Sequence, residues 1–170
     1  MSNESRTLSS NDEKIEIQNT LRPATQSDVL AMKSVVDSCN LFPSEYLDGM
    51  MEGYFKNPNS EELWFVKTLE TKPVGIAYCV PEKFTEGTFN LLAIGVHEKM
   101  QGTGIGSEIM HFVENQLRSN GARILIVETS GAEEFKLTRK FYVNLGYTEE
   151  ATIRDFWTEG EDKVIFWKKL

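Results

Sequence analysis

From Leu91 to Val96 the chain reads LLAIGV, with no polar residue, which predicts a strand covered on both faces. A turn with three glycines follows, Gln101-Gly102-Thr103-Gly104-Ile105-Gly106. Beyond it Ile105, Ile109, Phe112, Val113 and Leu117 recur at helical spacing on one face, with Glu108 flanking that stripe and Glu114 well away from it. Upstream, the alternation from Lys14 to Leu21 turns Ile15, Ile17 and Leu21 inward and predicts an edge strand that Arg22-Pro23 ends. Thr25-Gln26-Ser27-Asp28 has the Thr-x-x-acid form of a helix start, for a helix to about Ser38 that buries Val29, Leu30, Met32, Val35 and Val36. Pro43 stops propagation within the loop Asn40 to Ser44, and Ser44 can cap a helix from Glu45 to Tyr54. Leu63 to Leu69 and Val74 to Val80 read as strands, with Thr71-Lys72-Pro73 in the hairpin turn between them. A further buried strand spans Arg123 to Thr129, and a helix from Leu137 to Leu145 closes on Gly146. Two final strands, Glu149 to Phe156 and Lys163 to Lys168, are joined through Thr158 to Asp162.

The first four strands follow one another like hairpins, so they should be antiparallel. The long helix between the LLAIGV strand and Arg123 to Thr129 instead implies parallel neighbours. The expected class is therefore α/β (α+β), a mixed sheet with one parallel crossover. Neither a repeat nor a linker divides the chain. Residues 1–13 are polar and read as a disordered arm, and residues 14–170 as one domain.

Composition narrows the partners. The formal net charge of −8 argues against nucleic acid or an anionic membrane as the main partner and is compatible with a cationic amine. Two cysteines, Cys39 and Cys79, imply a reducing compartment without a disulfide framework. With the two histidines they are too scattered to make a metal site, so none is expected. No segment approaches a membrane span and the N-terminus lacks an apolar signal core, so the cytoplasm is the expected location.

The glycine turn carries the chemistry. The first amides of a helix have no intrahelical acceptor, and the helix dipole is positive there. Glycines clear side chains from that end, so several N–H groups can converge on a phosphate. A P-loop would need Lys-Ser/Thr after the last glycine, but Ser107-Glu108 follows, and glycines at 102, 104 and 106 do not make G-x-G-x-x-G. Gln101, Gly104 and Gly106 instead fit Gln-x-x-Gly-x-Gly after a strand ending in Val-His, and GVHEKMQGTGIG resembles the acyl-CoA pyrophosphate loop of the GNAT N-acetyltransferase superfamily. A second stretch, Thr138-Arg139-Lys140-Phe141-Tyr142-Val143-Asn144-Leu145-Gly146-Tyr147, resembles that family's Ala-Arg-x-Phe-Tyr-x-x-x-Gly-Phe segment and stands in the family's order.

The resemblance implies a mostly antiparallel sheet of about six or seven strands, one splayed parallel pair and about four flanking helices. It implies acetyl-CoA as acyl donor, with the pantetheine arm along Ile94, Gly95 and Val96 and the pyrophosphate on the amides of Gln101, Gly102, Thr103, Gly104, Ile105 and Gly106. Lys99 and Arg139 are candidates for the adenosine phosphates. Phe135 stands where many members carry an asparagine that holds the cofactor, so Thr138 or Arg139 must anchor the arm instead.

Direct transfer needs a neutral amine, a polarised carbonyl and a proton for the leaving thiolate. The resemblance places Tyr142 as the acid, and the N–H at Val96 or nearby as the oxyanion donor. Glu128, at the end of its strand, is the first candidate base, with a water relay as an equal alternative and Asn90, Glu82 and His97 as further contributors. Acceptor contacts are expected from Phe42, Tyr46 and Asn90 and from Phe156, Trp157 and the acidic stretch Glu159 to Asp162. The same aromatics could equally line a homodimer contact. The acceptor would be an amine of a small molecule or peptide. A non-catalytic acyl-CoA-binding module on the same fold and an unrelated nucleotide binder are the competing readings.

Overall fold

The structure is a computed structural model and describes residues 19–170. Its elements are β1 (Thr20–Pro23), α1 (Val29–Ser38), α2 (Leu47–Lys56), β2 (Leu63–Leu69), β3 (Lys72–Pro81), β4 (Thr88–Val96), α3 (Ile105–Ser119), β5 (Ile124–Ser130), α4 (Lys136–Asn144), β6 (Thr148–Thr158) and β7 (Glu161–Lys169). The seven strands form one sheet in the order β1-β2-β3-β4-β5-β7-β6. Every neighbouring pair is antiparallel except β4 and β5, which the crossover through α3 makes parallel.

Alternation along the strands divides the core in two. Phe65, Ala77, Cys79, Leu91, Leu125, Val127 and Phe166 face α3 and α4 and meet Ile105, Ile109, Val113 and Tyr142. Trp64, Val66, Ile76, Tyr78 and Ala93 face the other way, onto Met32, Val35 and Val36 of α1 and Leu47 and Met51 of α2. Trp64 and Tyr78 stack across β2 and β3, ring centroids 4.0 Å apart.

Several sequence expectations are corrected. Most of the stretch from Lys14 to Leu21, with Ile15 and Ile17, lies outside the described residues. The described first strand runs on through Arg22 and Pro23, and Ala24 N–H still donates to Trp64 O at 2.8 Å. Proline is accommodated because β1 is an edge strand. Leu30 is 82 % exposed, because Val29, Met32, Val35 and Val36 already fill the inward arc of α1 and Leu30 lies outside it. Ser44 does not cap with its side chain; a short 3-10 turn, Ser44–Tyr46, leads into α2. The β2–β3 hairpin turns on Glu70 and Thr71, both at positive φ, while Lys72 and Pro73 already belong to β3. Glu114 is buried, not distant from the core: its Oε1 accepts from the Tyr147 hydroxyl at 2.9 Å, and Lys168 Nζ donates to both its oxygens at 2.9 and 2.8 Å. That site is created by the packing of α3 against the end of α4 and β7, which helical periodicity does not report.

Candidate active site

The parallel pair is short. β4 and β5 match from Thr88 and Ile124 to Leu91 and Val127, and there the ladder stops. Beyond that point β4 stays with β3, as far as Val96 opposite Gly75, while β5 stays with β7, as far as Ser130 opposite Lys163. A β-bulge marks the departure: Tyr78 faces Ala93 but Cys79 faces Leu91, so Leu92 is the extra residue. Leu92 is consequently 50 % exposed inside the otherwise apolar run, which is not covered on both faces as its composition implies. The inner edges of both strands carry unpaired N–H and C=O groups past this point, as the edge of a sheet does.

Two compartments open at this gap. One, of 520 Å³, lies between the end of β4, the glycine turn and α4, and includes Ile94, Val96, Gln101, Gly102, Gly104, Gly106 and Thr138. The other, of 500 Å³, lies between the α1–α2 connection, β4, β5 and the β6–β7 hairpin, and includes Leu41, Leu92, Glu128, Phe135, Trp157 and Glu161. Ile94, Thr138 and Tyr142 line both, so the two meet at Tyr142.

The turn is built to expose amides. Gly102 and Gly104 sit at φ +76° and +91°, a region costly for residues with a Cβ. Gln101 Nε2 donates to Val96 O at 3.2 Å and the Thr103 hydroxyl to Met100 O at 2.6 Å, so these side chains brace the loop. The α3 ladder begins with Glu108 N–H on Gly104 O at 3.0 Å, which leaves the amides of Ile105, Gly106 and Ser107 ahead of it. They stand at the positive end of the helix dipole, beside the first compartment.

Tyr142 is 3 % exposed, with its ring against Phe141, Tyr147 and Phe166 at centroid distances of 5.3, 5.8 and 5.5 Å. Burial, and next the nearby Cys79, push its phenol well above the ordinary tyrosine value, and no hydrogen bond contributes. It is therefore a fully protonated donor in a dry wall. Glycine 146, at φ +83°, ends α4 and lets Tyr147 N–H return to Tyr142 O at 3.1 Å, which fixes this turn of the helix.

Glu128 reaches the second compartment from β5, with both oxygens engaged. Lys163 Nζ is 3.1 Å from Oε2, and Asn90 Nδ2 is 3.4 Å from Oε1. The same Asn90 nitrogen donates to Glu82 Oε1 at 2.9 Å. Asn90 is 4 % exposed, its Oδ1 is buried without a partner, and it lies behind Glu128, not on the cleft wall. Lys163 is itself buried, with Nζ 3.7 Å from the centroid of the Phe156 ring.

The remaining sequence candidates are placed as follows. Gly95 is not in the lining of either compartment, and a Cβ there would meet Leu41 and Cys39 at 3.0 and 3.1 Å. Ile105 is a core residue. Arg139 Nη1 donates to Ser130 O and Ala132 O, both at 2.8 Å, and so ties α4 to the end of β5. Phe42 packs against the α1–α2 core and Tyr46 is exposed; neither lines the cleft, whereas Trp157 does. The sequence reading missed Met100, Ser107 and Leu137 in the first compartment and Cys39, Leu41 and Leu92 in the second. Met100 and Ser107, which flank the glycine turn, carried a signal; the others reach the cleft through packing and the bulge.

Known proteins share this fold. The structure is similar to that of a protein from Desulfovibrio desulfuricans assigned to the GNAT acetyltransferase family, at 28 % identity and a TM-score of 0.83, covering 88 % of this chain and 98 % of that one. The fold also matches yncA of Salmonella typhimurium, solved with its cofactor acetyl-CoA, at 14 % identity and a TM-score of 0.68, over 89 % and 93 % of the two chains. In sequence the chain is similar to an uncharacterized N-acetyltransferase of Methanocaldococcus jannaschii, 26 % identical over 86 residues; the match spans 49 % of this chain and 53 % of the relative's length. The family model for the acetyltransferase (GNAT) family matches residues 32–147, and with the splayed pair and the glycine turn in place this chain belongs to that family.

Proposed function

We propose that the protein is an N-acetyltransferase that uses acetyl-CoA and passes the acetyl group directly to a primary amine of a small molecule or peptide. One observation carries this reading: the gap that begins after Leu91 and Val127 runs from the open amides of the glycine turn, past Tyr142, into a second compartment on the other side of the sheet. Donor and acceptor can thus approach from opposite faces and meet in a ternary complex.

In this reading the amides of residues 101–106 hold the donor's pyrophosphate, and the free edge of β4 at Ile94 and Val96 pairs with the pantetheine amides. Thr138 borders the arm from α4. The Tyr142 hydroxyl donates a proton to the sulfur as the C–S bond breaks, and the backbone N–H near Val96 stabilises the carbonyl oxygen. The acceptor must lose a proton before attack, since an alkylammonium with a pKa of roughly 10 has no lone pair. Glu128, or a water held by it, receives that proton. A cytoplasmic location suits the reducing-type cysteines.

The occupied state of Glu128, with Lys163 and Asn90 on its two oxygens, is the one feature that favours the competing reading of a binding module without turnover. Thermal shift with acetyl-CoA, ATP and NAD, followed by free-thiol release over a panel of amines, tests the proposal. Stabilisation by acetyl-CoA alone and amine-dependent thiol release are expected. Stabilisation without release on any amine would favour the binding module, and stabilisation by ATP or NAD would refute both.

A further inference from the structure

We infer that Glu161, not Glu128, recognises the charge of the acceptor, and that the acceptor is an alkylamine with an apolar body and no carboxylate beside the nitrogen. The inference rests on the acetyltransferase reading above and specifies its second compartment.

Two carboxylates line that compartment, and their surroundings differ. The charge of Glu128 is already answered within the protein by Lys163 at 3.1 Å. Lys163 is kept there by the β6–β7 hairpin. Between the pairs Ile153–Lys163 and Thr158–Glu161, residues 154–157 bulge from β6 and fold Phe156 back over the ammonium. Asp155, at positive φ, anchors this bulge: its N–H donates to Asp162 Oδ1 at 3.0 Å and its Oδ1 accepts from Gly160 N–H at 2.7 Å. An incoming ammonium would have to displace Lys163 to use Glu128.

Glu161 has no such partner. Among the described residues no lysine, arginine or histidine pairs with it. The nearby cation Arg139 is bound to the carbonyls of Ser130 and Ala132. Glu161 is nonetheless held in place, since the Ser130 hydroxyl donates to its Oε1 at 2.6 Å. That hydroxyl also accepts from Ala132 N–H at 3.0 Å, and Gly131 N–H donates to Asp162 O at 2.8 Å. One oxygen of a fixed carboxylate is thus left for a ligand. Of the two carboxylates that line the compartment, Glu128 is paired with Lys163, whereas Glu161 has no cationic partner among the described residues.

The walls set the rest of the acceptor. Leu41, Leu92, Phe135 and Trp157 add apolar surface to the lining of the compartment. An alkyl or aryl body gains by burial there. A carboxylate adjacent to the amine would face Glu161 with like charge and be rejected.

Steady-state kinetics with 2-phenylethylamine, hexylamine and phenylalanine, on wild type, Glu161→Gln and Glu161→Asp, test this. The two amines without a carboxylate should be acetylated and phenylalanine should not. Glu161→Gln should raise the amine KM about ten-fold or more with kcat, the acetyl-CoA KM and the melting temperature near those of wild type, and Glu161→Asp should recover part of the loss. An unchanged amine KM in Glu161→Gln, or a preference for phenylalanine, would overturn the inference and leave the acetyltransferase reading standing. Acetyl-CoA binding without turnover on any amine would overturn both.

Discussion

Leu91 and Val127 are the last residues of β4 and β5 to face one another, and the two strands part immediately beyond them. Each strand leaves with its other neighbour, β4 with β3 and β5 with β7, so opening the sheet costs neither of them its remaining ladder. The extra residue at Leu92 supplies the bend. Both walls of the gap thus stay paired on their outer sides.

The glycine turn should respond to a single methyl group. At Gly104 a Cβ would meet nothing within 4 Å, so the cost of Gly104→Ala comes from φ +91° alone, on the order of 1–2 kcal/mol. Relief of that strain would tilt the amides of the turn. Calorimetric titration should show acetyl-CoA binding weakened by about ten-fold, with the fold retained by circular dichroism.

Tyr142→Phe removes one oxygen from a buried ring that hydrogen bonds do not restrain. Stability should therefore change little, while kcat falls about ten-fold or more and the acetyl-CoA KM stays near wild type. Because burial raises the phenol above its ordinary value, any loss of wild-type rate between about pH 7 and 10 should persist in Tyr142→Phe and not be ascribed to this hydroxyl. An unchanged kcat in the variant would remove Tyr142 from the acid role.

Glu114 joins α3 to Tyr147 and Lys168, and Lys168 Nζ also donates to Leu145 O at 2.8 Å. Glu114→Ala would leave the Lys168 charge and the Tyr147 hydroxyl without their acceptor. A loss of about 3 kcal/mol is expected, read as a fall in melting temperature of about 5–10 °C. Replacing Glu114 by Met and Lys168 by Leu together should recover most of it, since a buried pair is often matched by apolar side chains.

Asp28 closes β1 onto α1. Arg22 donates to it through Nη1 and Nη2 at 2.7 and 2.8 Å, and Thr25 adds its N–H and its hydroxyl, each at 2.7 Å. The Arg22 guanidinium is the largest influence holding this carboxyl well below the usual range, and the Thr25 bonds add to it. A carboxyl made more acidic by folding contributes stability in full above its unfolded value of about 3.9, and loses it as pH falls toward the folded value. Asp28→Asn should cost about 2 kcal/mol near pH 6–7 by urea denaturation. The gap between variant and wild type should narrow as pH drops below about 4, and a gap that widened there would contradict the assignment.

Local features announced much of this protein. Apolar runs and their periods marked the helices and strands, and the glycine spacing at 102, 104 and 106 marked the turn that leaves amides open ahead of α3, because backbone conformation and side-chain direction are set within a few residues. Tyr142 was singled out by the resemblance of its segment, in a helix that ends on Gly146. What the sequence could not declare depends on residues brought together from far apart. The exposure of Leu92 follows from a one-residue mismatch with β3, the burial of Glu114 from Tyr147 and Lys168 meeting its carboxylate, and the pairing of Glu128 with Lys163 from two strands adjacent only in space. Asn90, expected on the acceptor wall, proved to be a brace behind it, and of the acidic stretch Glu159 to Asp162 it is Glu161 that lines that wall. Period and turn chemistry are properties of a segment, whereas pairing of charges and the opening of a gap are properties of the packed sheet.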